Sequence, residues 1–100
     1  MKSIITQFGH IVNKDEIKTI DINVENNRTA IARETKVEVN IIFKDGDNIT
    51  MLEYETSCNN RRNYHIKLAE IIARDLANNN IVDSLAIINK MDCAVLRGEC

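Results

Sequence analysis

One hundred residues, 44% apolar and 28% charged with a formal net charge of −2, describe one small domain over residues 1–100 with a single core. No membrane-spanning helix is expected, because no apolar run nears the roughly 20 residues a bilayer requires. The composition argues against general nucleic-acid binding, which calls for a basic excess, and against disorder, because 16 isoleucines supply a core.

The opening MKSIITQFGH lacks a signal-peptide hydrophobic region. Three cysteines, Cys58, Cys93 and Cys100, form no C-x-x-C. A cytoplasmic protein with reduced thiols is therefore expected. Proline is absent, and 36 residues are Ile, Asn or Lys, a bias that suits the AT-rich genome of a low-GC bacterium or its phages.

In chain order, Ser3 to Phe8 reads as a short β-rich run closed by Gly9-His10, with Ile11-Val12 following and Asn13-Lys14-Asp15 as punctuation. Ile20, Ile22 and Val24 alternate with Asp21, Asn23 and Glu25, the period of a half-buried strand. Asn26-Asn27 is a turn signal. Arg28 to Glu34 pairs back across it, or forms a loop or helical turn, since RTAIARE is poor in β-formers. Val37, Val39, Ile41 and Phe43 alternate cleanly. Lys44-Asp45-Gly46-Asp47-Asn48 then makes a hairpin loop, and Ile49 to Glu55 returns.

The second half is helical. Ser57, Asn59 or Asn60 caps a helix running from about Arg61 to Asn78. Ile66, Ala69, Ile72, Ala73 and Leu76 form its apolar stripe; Lys67, Glu70 and Arg74 lie opposite, with Glu70 and Arg74 spaced to pair. A second helix is expected over Ile81 to Met91, capped by Asn80 or Asp83 and apolar most of the way round. The fold expected is α+β, an antiparallel sheet of about five strands covered on one face by the first helix, with the second packed alongside. Tyr64 and Ile71 fall at the edge of the stripe, so a cover from the second helix or from another subunit is expected, and with it a homo-oligomer.

Glycine occurs only at Gly9, Gly46 and Gly98, too sparsely for a phosphate-cradling loop. Cys58 and His65 lack the converging groups of a nucleophile–base pair, and His10, His65, Cys58 and Cys93 lack zinc spacing. Asp45, Asp47 and Asn48 resemble a calcium loop only superficially, because the run is short and lacks a distal Glu. No catalysis, no metal and no cofactor is expected. One cluster stands out. Arg61, Arg62 and His65 lie on the arc that continues the apolar stripe at the helix start, beside Asn59 and Asn60. Cations there oppose the helix dipole and, with the first-turn N–H groups, suit a phosphate or carboxylate. The alternatives are an ion pair with Glu53 or Glu55, or extension into water. Arg28 on a neighbouring strand would close such a pocket, and the loop near Phe8 and His10 is the fallback position.

Gly9-His10-Ile11-Val12-Asn13-Lys14-Asp15-Glu16-Ile17, followed by an alternating strand, an Asp45-Gly46 hairpin and a C-terminal helix, resembles small proteins of low-GC phages and mobile elements. In layout the chain resembles the Thoeris anti-defence protein 1 family, whose members oligomerise and sequester cyclic nucleotide-type immune signals. The resemblance implies a non-enzymatic binder of a phosphate-rich ligand in a bacterial host cytoplasm. Two other readings come from the residues. One is an inhibitor that sets acidic strand faces around Asp15, Glu16, Asp21 and Glu25 against a basic site on a host defence enzyme. The other is a structural or adaptor module without a ligand.

Overall fold

The chain runs β1 (Ser3–Ile5), β2 (Ile11–Asn13), a 3-10 turn (Lys14–Glu16), β3 (Ile17–Arg28), β4 (Arg33–Phe43), β5 (Asn48–Thr56), α1 (Arg61–Asn78), β6 (Ile81–Asp83) and α2 (Ser84–Leu96). The computed structural model describes residues 2–28, 33–58 and 60–98, without the side chains of residues 27, 28, 33 and 34. The class is α+β, but the expected five-strand sheet is instead two sheets of three strands, β2-β1-β6 and β3-β4-β5. Two features divide them. Asn13 accepts from the Asp15 N–H and caps the 3-10 turn, which breaks the chain between β2 and β3. Ile81-Val82-Asp83, expected to open the second helix, pairs parallel to β1 instead. That pairing buries Val82 beside Ile4, which also faces Val12 across β2.

In the larger sheet the period-2 pattern places Val37, Val39 and Ile41 inward, all fully buried, with Val24 beside Val37. A register shift between Val39 and Asn40 makes room for both Met51 and Leu52 in the core. Asn26 and Asn27 lie inside β3 rather than in a turn, because Asn26 Oδ1 accepts from the inward Thr35 hydroxyl of β4 at 2.8 Å. The segment connecting the two strands, residues 29–32, lies outside the described residues.

Asn60 caps α1 through a 3.0 Å bond from the Asn63 N–H, and the helix spans the range its spacing predicts. At its other end Lys2 Nζ donates to the carbonyls of Leu76 and Ala77, and Lys14 Nζ to Leu76, placing cations at the negative end of the helix dipole. The buried stripe is Tyr64, Leu68, Ile72 and Asp75, while Ile66 is 49% exposed and Ala73 is exposed. At 100° per residue the inner face is rotated by roughly 100° from the expected one. Two polar-tipped residues cause this. Tyr64 finds Tyr54, and Asp75 finds Lys90. Tyr64 is therefore covered within the chain, and Ile71 is half-buried against the same core, so neither calls for a second subunit.

Asp83 caps α2 by accepting from the Leu85 N–H. This helix buries Ser84, Ile87, Met91 and Ala94, and leaves Leu85 and Leu96 exposed, so it is covered along one stripe rather than two. Reduced thiols throughout were expected. Cys58 is instead disulfide-bonded, whereas Cys93 is free and exposed.

Candidate functional site

Arg61, Arg62 and His65 are exposed on the first turns of α1 and do not face the core. Among the described residues neither arginine forms an ion pair, so the alternative pairing with Glu53 or Glu55 is not made. Asn60 spends its side-chain oxygen on the cap. Asn60, Arg62, Asn63 and Ile66 line a shallow depression of about 260 Å³. The backbone of Arg28 ends β3 two residues beyond Asn26, at the same end of the sheet as the start of α1. Its side chain lies outside the described residues. The Phe8–His10 turn is fastened to β5, where Gln7 N–H donates to the Met51 carbonyl and Gln7 Oε1 accepts from the Glu53 N–H. His10 N–H is taken up by Thr6 Oγ1 at 3.1 Å.

A larger feature lies between the helices. α1 contributes Lys67, Glu70, Ile71, Arg74 and Asp75, and α2 contributes Asn89, Lys90, Cys93 and Arg97, to a groove of about 510 Å³. Four cations and two carboxylates, Glu70 and Asp75, thus meet between the two helices, an excess of two positive charges in a chain of net charge −2. Lys90 Nζ stands 3.2 Å from both oxygens of the buried Asp75 and joins the two helices. Glu70 and Arg74, expected to pair, make no ion pair among the described residues. The exposed Arg74 guanidinium keeps the paired N–H donors that match phosphate oxygens. Ile71 gives the groove an apolar wall and Cys93 a free thiol. The signal for this site was present in the sequence, since Lys67 and Arg74, and again Lys90 and Arg97, are seven residues apart and share a helix face. It becomes a site only once α1 and α2 are known to be neighbours.

Two further features carry charge or unusual acidity. Asp15, Glu16, Asp45 and Asp47 ring a depression of about 440 Å³ with Phe43 and Lys44, where the 3-10 turn meets the β4–β5 loop. Asp45 Oδ1 accepts from the Asp47 N–H, so turn chemistry accounts for that carboxylate. Among the described residues no group of three metal-ligating side chains converges. In the core, the Tyr54 and Tyr64 hydroxyls hydrogen-bond to each other, their rings tilted by 59° with centroids 6.4 Å apart. Burial pushes the Tyr64 phenol up to about 12 and the Tyr54 phenol higher still, and the Asp92 carboxylate raises both.

No protein-family model, curated protein or solved structure matches the chain. Among the described residues, no helix is long and apolar enough to cross a membrane.

Proposed function

We propose that this protein is a non-enzymatic binder that holds a phosphate-bearing, nucleotide-type small molecule between α1 and α2 and releases it unchanged. The observation that supports the reading is the convergence of Lys67, Arg74, Lys90 and Arg97 on one groove. Its volume lies within the roughly 300–1,000 Å³ of small-molecule sites. Cations from both walls suit more than one phosphate oxygen, and Ile71 offers a surface for a base. In the phage-type counter-defence role that the resemblance implies, such a protein lowers the free concentration of a host signal by stoichiometric capture.

Denaturing release of whatever co-purifies, read by mass spectrometry, tests this reading. The expected result is an intact phosphate-bearing small molecule, with alkylation of Cys93 slowed while it is bound. A hydrolysed product, or an empty preparation whose Cys93 reactivity no cyclic nucleotide alters, counts against it.

A second reading rests on the outer face of the larger sheet. There, among the described residues, Asp21, Glu25, Glu38, Glu53 and Glu55 surround Lys36, and Glu38 stands directly opposite Glu53. Like charges in register cost stability. A face that keeps them suits a basic site on a partner protein, as an inhibitor of a host enzyme would require. Co-purification of a protein that Glu38→Lys and Glu53→Lys release favours this reading over the first.

A further inference from the structure

The larger sheet ends on β3, twelve residues long, and among the described residues nothing hydrogen-bonds to its outer side. Edges of that length are normally blunted by proline, an inward charge, a bulge or a cover. From Thr19 to Asn26 the first three are missing, and the charges the edge carries, Asp21 and Glu25, are confined to its outer face. The chain has no proline, the one register shift lies between Ile17 and Thr19, and the inward side chains are Ile20, Ile22, Val24 and Asn26. Cover also thins toward the edge. Ile20 and Ile22 are half-buried, although Ile41 and Val39 beside them on β4 are fully buried.

α1 points to the same side. The groove fixes Lys67, Ile71 and Arg74 on the flank of α1 that faces α2. At 100° per residue, the flank beyond the buried stripe carries Ile66, Ala69 and Ala73. Because α1 packs on β3 and α2 on β5, that flank is turned past the β3 edge. Beyond Arg62 at its start it is apolar, and it is only partly covered, with Ile66 49% exposed, Ala73 exposed and Ala69 half-buried.

We infer that two copies of this chain pair through β3, antiparallel about a two-fold axis at Ile22, to form one continuous six-stranded sheet. The strand is self-complementary in this register. On the inner face Ile22 meets Ile22 of the second copy and Ile20 meets Val24; on the outer face Asp21 meets Asn23 and Thr19 meets Glu25. No like charges stand opposite one another. Moving the axis to Asp21 sets that residue against itself, and moving it to Asn23 sets Asp21 against Glu25; an axis at Ile20 or Val24 sets Ile22 against Lys18 or Asn26, so charge and apolar matching together select the one register.

The helices fit the same axis. The Thr35 hydroxyl lies 2.8 Å from Asn26 Oδ1 and 2.5 Å from the Cys58 carbonyl, which ties the start of α1 to Asn26. From Asn26 to Ile22 the strand covers about 13 Å, or about nine residues of helix from Arg61. Ala69 and Ala73 of both copies therefore stand level with the axis, where small side chains let two helices approach. The ligand groove lies on the opposite flank of α1, so pairing and ligand capture are independent.

Sedimentation equilibrium of the full chain over a range of concentrations tests the inference. A dimer of the 11.4 kDa chain is expected. Asn23→Asp sets two like-charge pairs across the axis and is expected to weaken the dimer roughly two- to thirtyfold. Asn23→Lys sets two opposite-charge pairs and is expected to tighten it by a similar factor. Asn23 is exposed, and circular dichroism checks that both variants fold. Dissociation constants ranked Asp, Asn, Lys from weakest to tightest support the contact. A monomer at every concentration, or any other ranking, overturns it.

Discussion

Tyr64→Phe tests the link between the larger sheet and α1. The change keeps the buried ring and removes only a hydroxyl, which bonds to the Tyr54 hydroxyl and to Thr56. Tyr64 is 2% exposed, so water does not readily replace the lost group. The Tyr54 hydroxyl is left without its partner, and because Tyr54 is only half-buried the cost is expected toward the lower end of the ~1–3 kcal/mol of an unsatisfied buried group. Tyr54→Phe is milder, because Tyr64 keeps Thr56; a cost of about 0.5–1.5 kcal/mol is expected. The double variant strands neither hydroxyl of the pair. Its cost should fall short of the sum of the single costs by about 1 kcal/mol, a coupling that a double-mutant cycle resolves. Urea unfolding of the four proteins at neutral pH gives the values, and 1 kcal/mol corresponds to a midpoint shift of about 4–8 °C in thermal melts. Strict additivity, or a Tyr54→Phe cost exceeding that of Tyr64→Phe, would refute the argument.

Two more outcomes follow from the same core. In the folded chain both tyrosines keep their protons above the ordinary value of 10.0, Tyr64 up to about 12 and Tyr54 beyond, while the unfolded chain releases them near 10. Their stabilisation is therefore full below pH 10 and drains away as pH rises through 12, at about 1.4 kcal/mol per pH unit for each tyrosine. Urea midpoints measured from pH 9 to 12 should fall, and fall less steeply in Tyr64→Phe; an unchanged slope contradicts the assignment. Ser84 Oγ is buried with no hydrogen-bond partner among the described residues, so Ser84→Ala is expected to be neutral or to stabilise by up to about 1 kcal/mol. A loss above that in urea unfolding would reveal a partner for the hydroxyl.

The legible parts of the fold were those where one residue pattern has one structural solution. The alternation Val37-Val39-Ile41-Phe43, the Asp45-Gly46 turn and the Asn60 cap each act locally, and β4, β5 and α1 lie where these signals place them. Gly46 takes φ of +96°, the conformation such a turn requires. What escaped was set by tertiary partners. β6 is three residues long, too short to show a period, and its strand character comes from the slot beside Ile4. The inner face of α1 includes Asp75 and a tyrosine hydroxyl, which count as polar until Lys90 and Tyr54 stand opposite them.

The site shows the same division. Arg61, Arg62 and His65 were conspicuous because charges adjoin an apolar stripe, yet that stripe is not the one α1 buries. Of the residues read as a stripe, Ile72 is buried and Leu76 packs against the core, while Ile66, Ala69 and Ala73 lie on the flank toward the β3 edge. Lys67 and Arg74 looked like a solvated face. Only α2, brought alongside by the Lys90–Asp75 pair, turns that face into the wall of a groove.

Calorimetric titration of cyclic nucleotides into wild type, Arg74→Ala, Arg61→Ala and Arg62→Ala, with inorganic phosphate as a control, measures the central claim directly. Arg74 is exposed and makes no ion pair among the described residues, so its loss spares the fold. A charged hydrogen bond to phosphate contributes about 1.5–3 kcal/mol, so Arg74→Ala should weaken binding roughly ten- to a hundredfold. Arg61→Ala and Arg62→Ala should leave the affinity unchanged. Wild-type affinity in Arg74→Ala together with a loss in Arg61→Ala or Arg62→Ala would contradict the account and return the site to the start of α1.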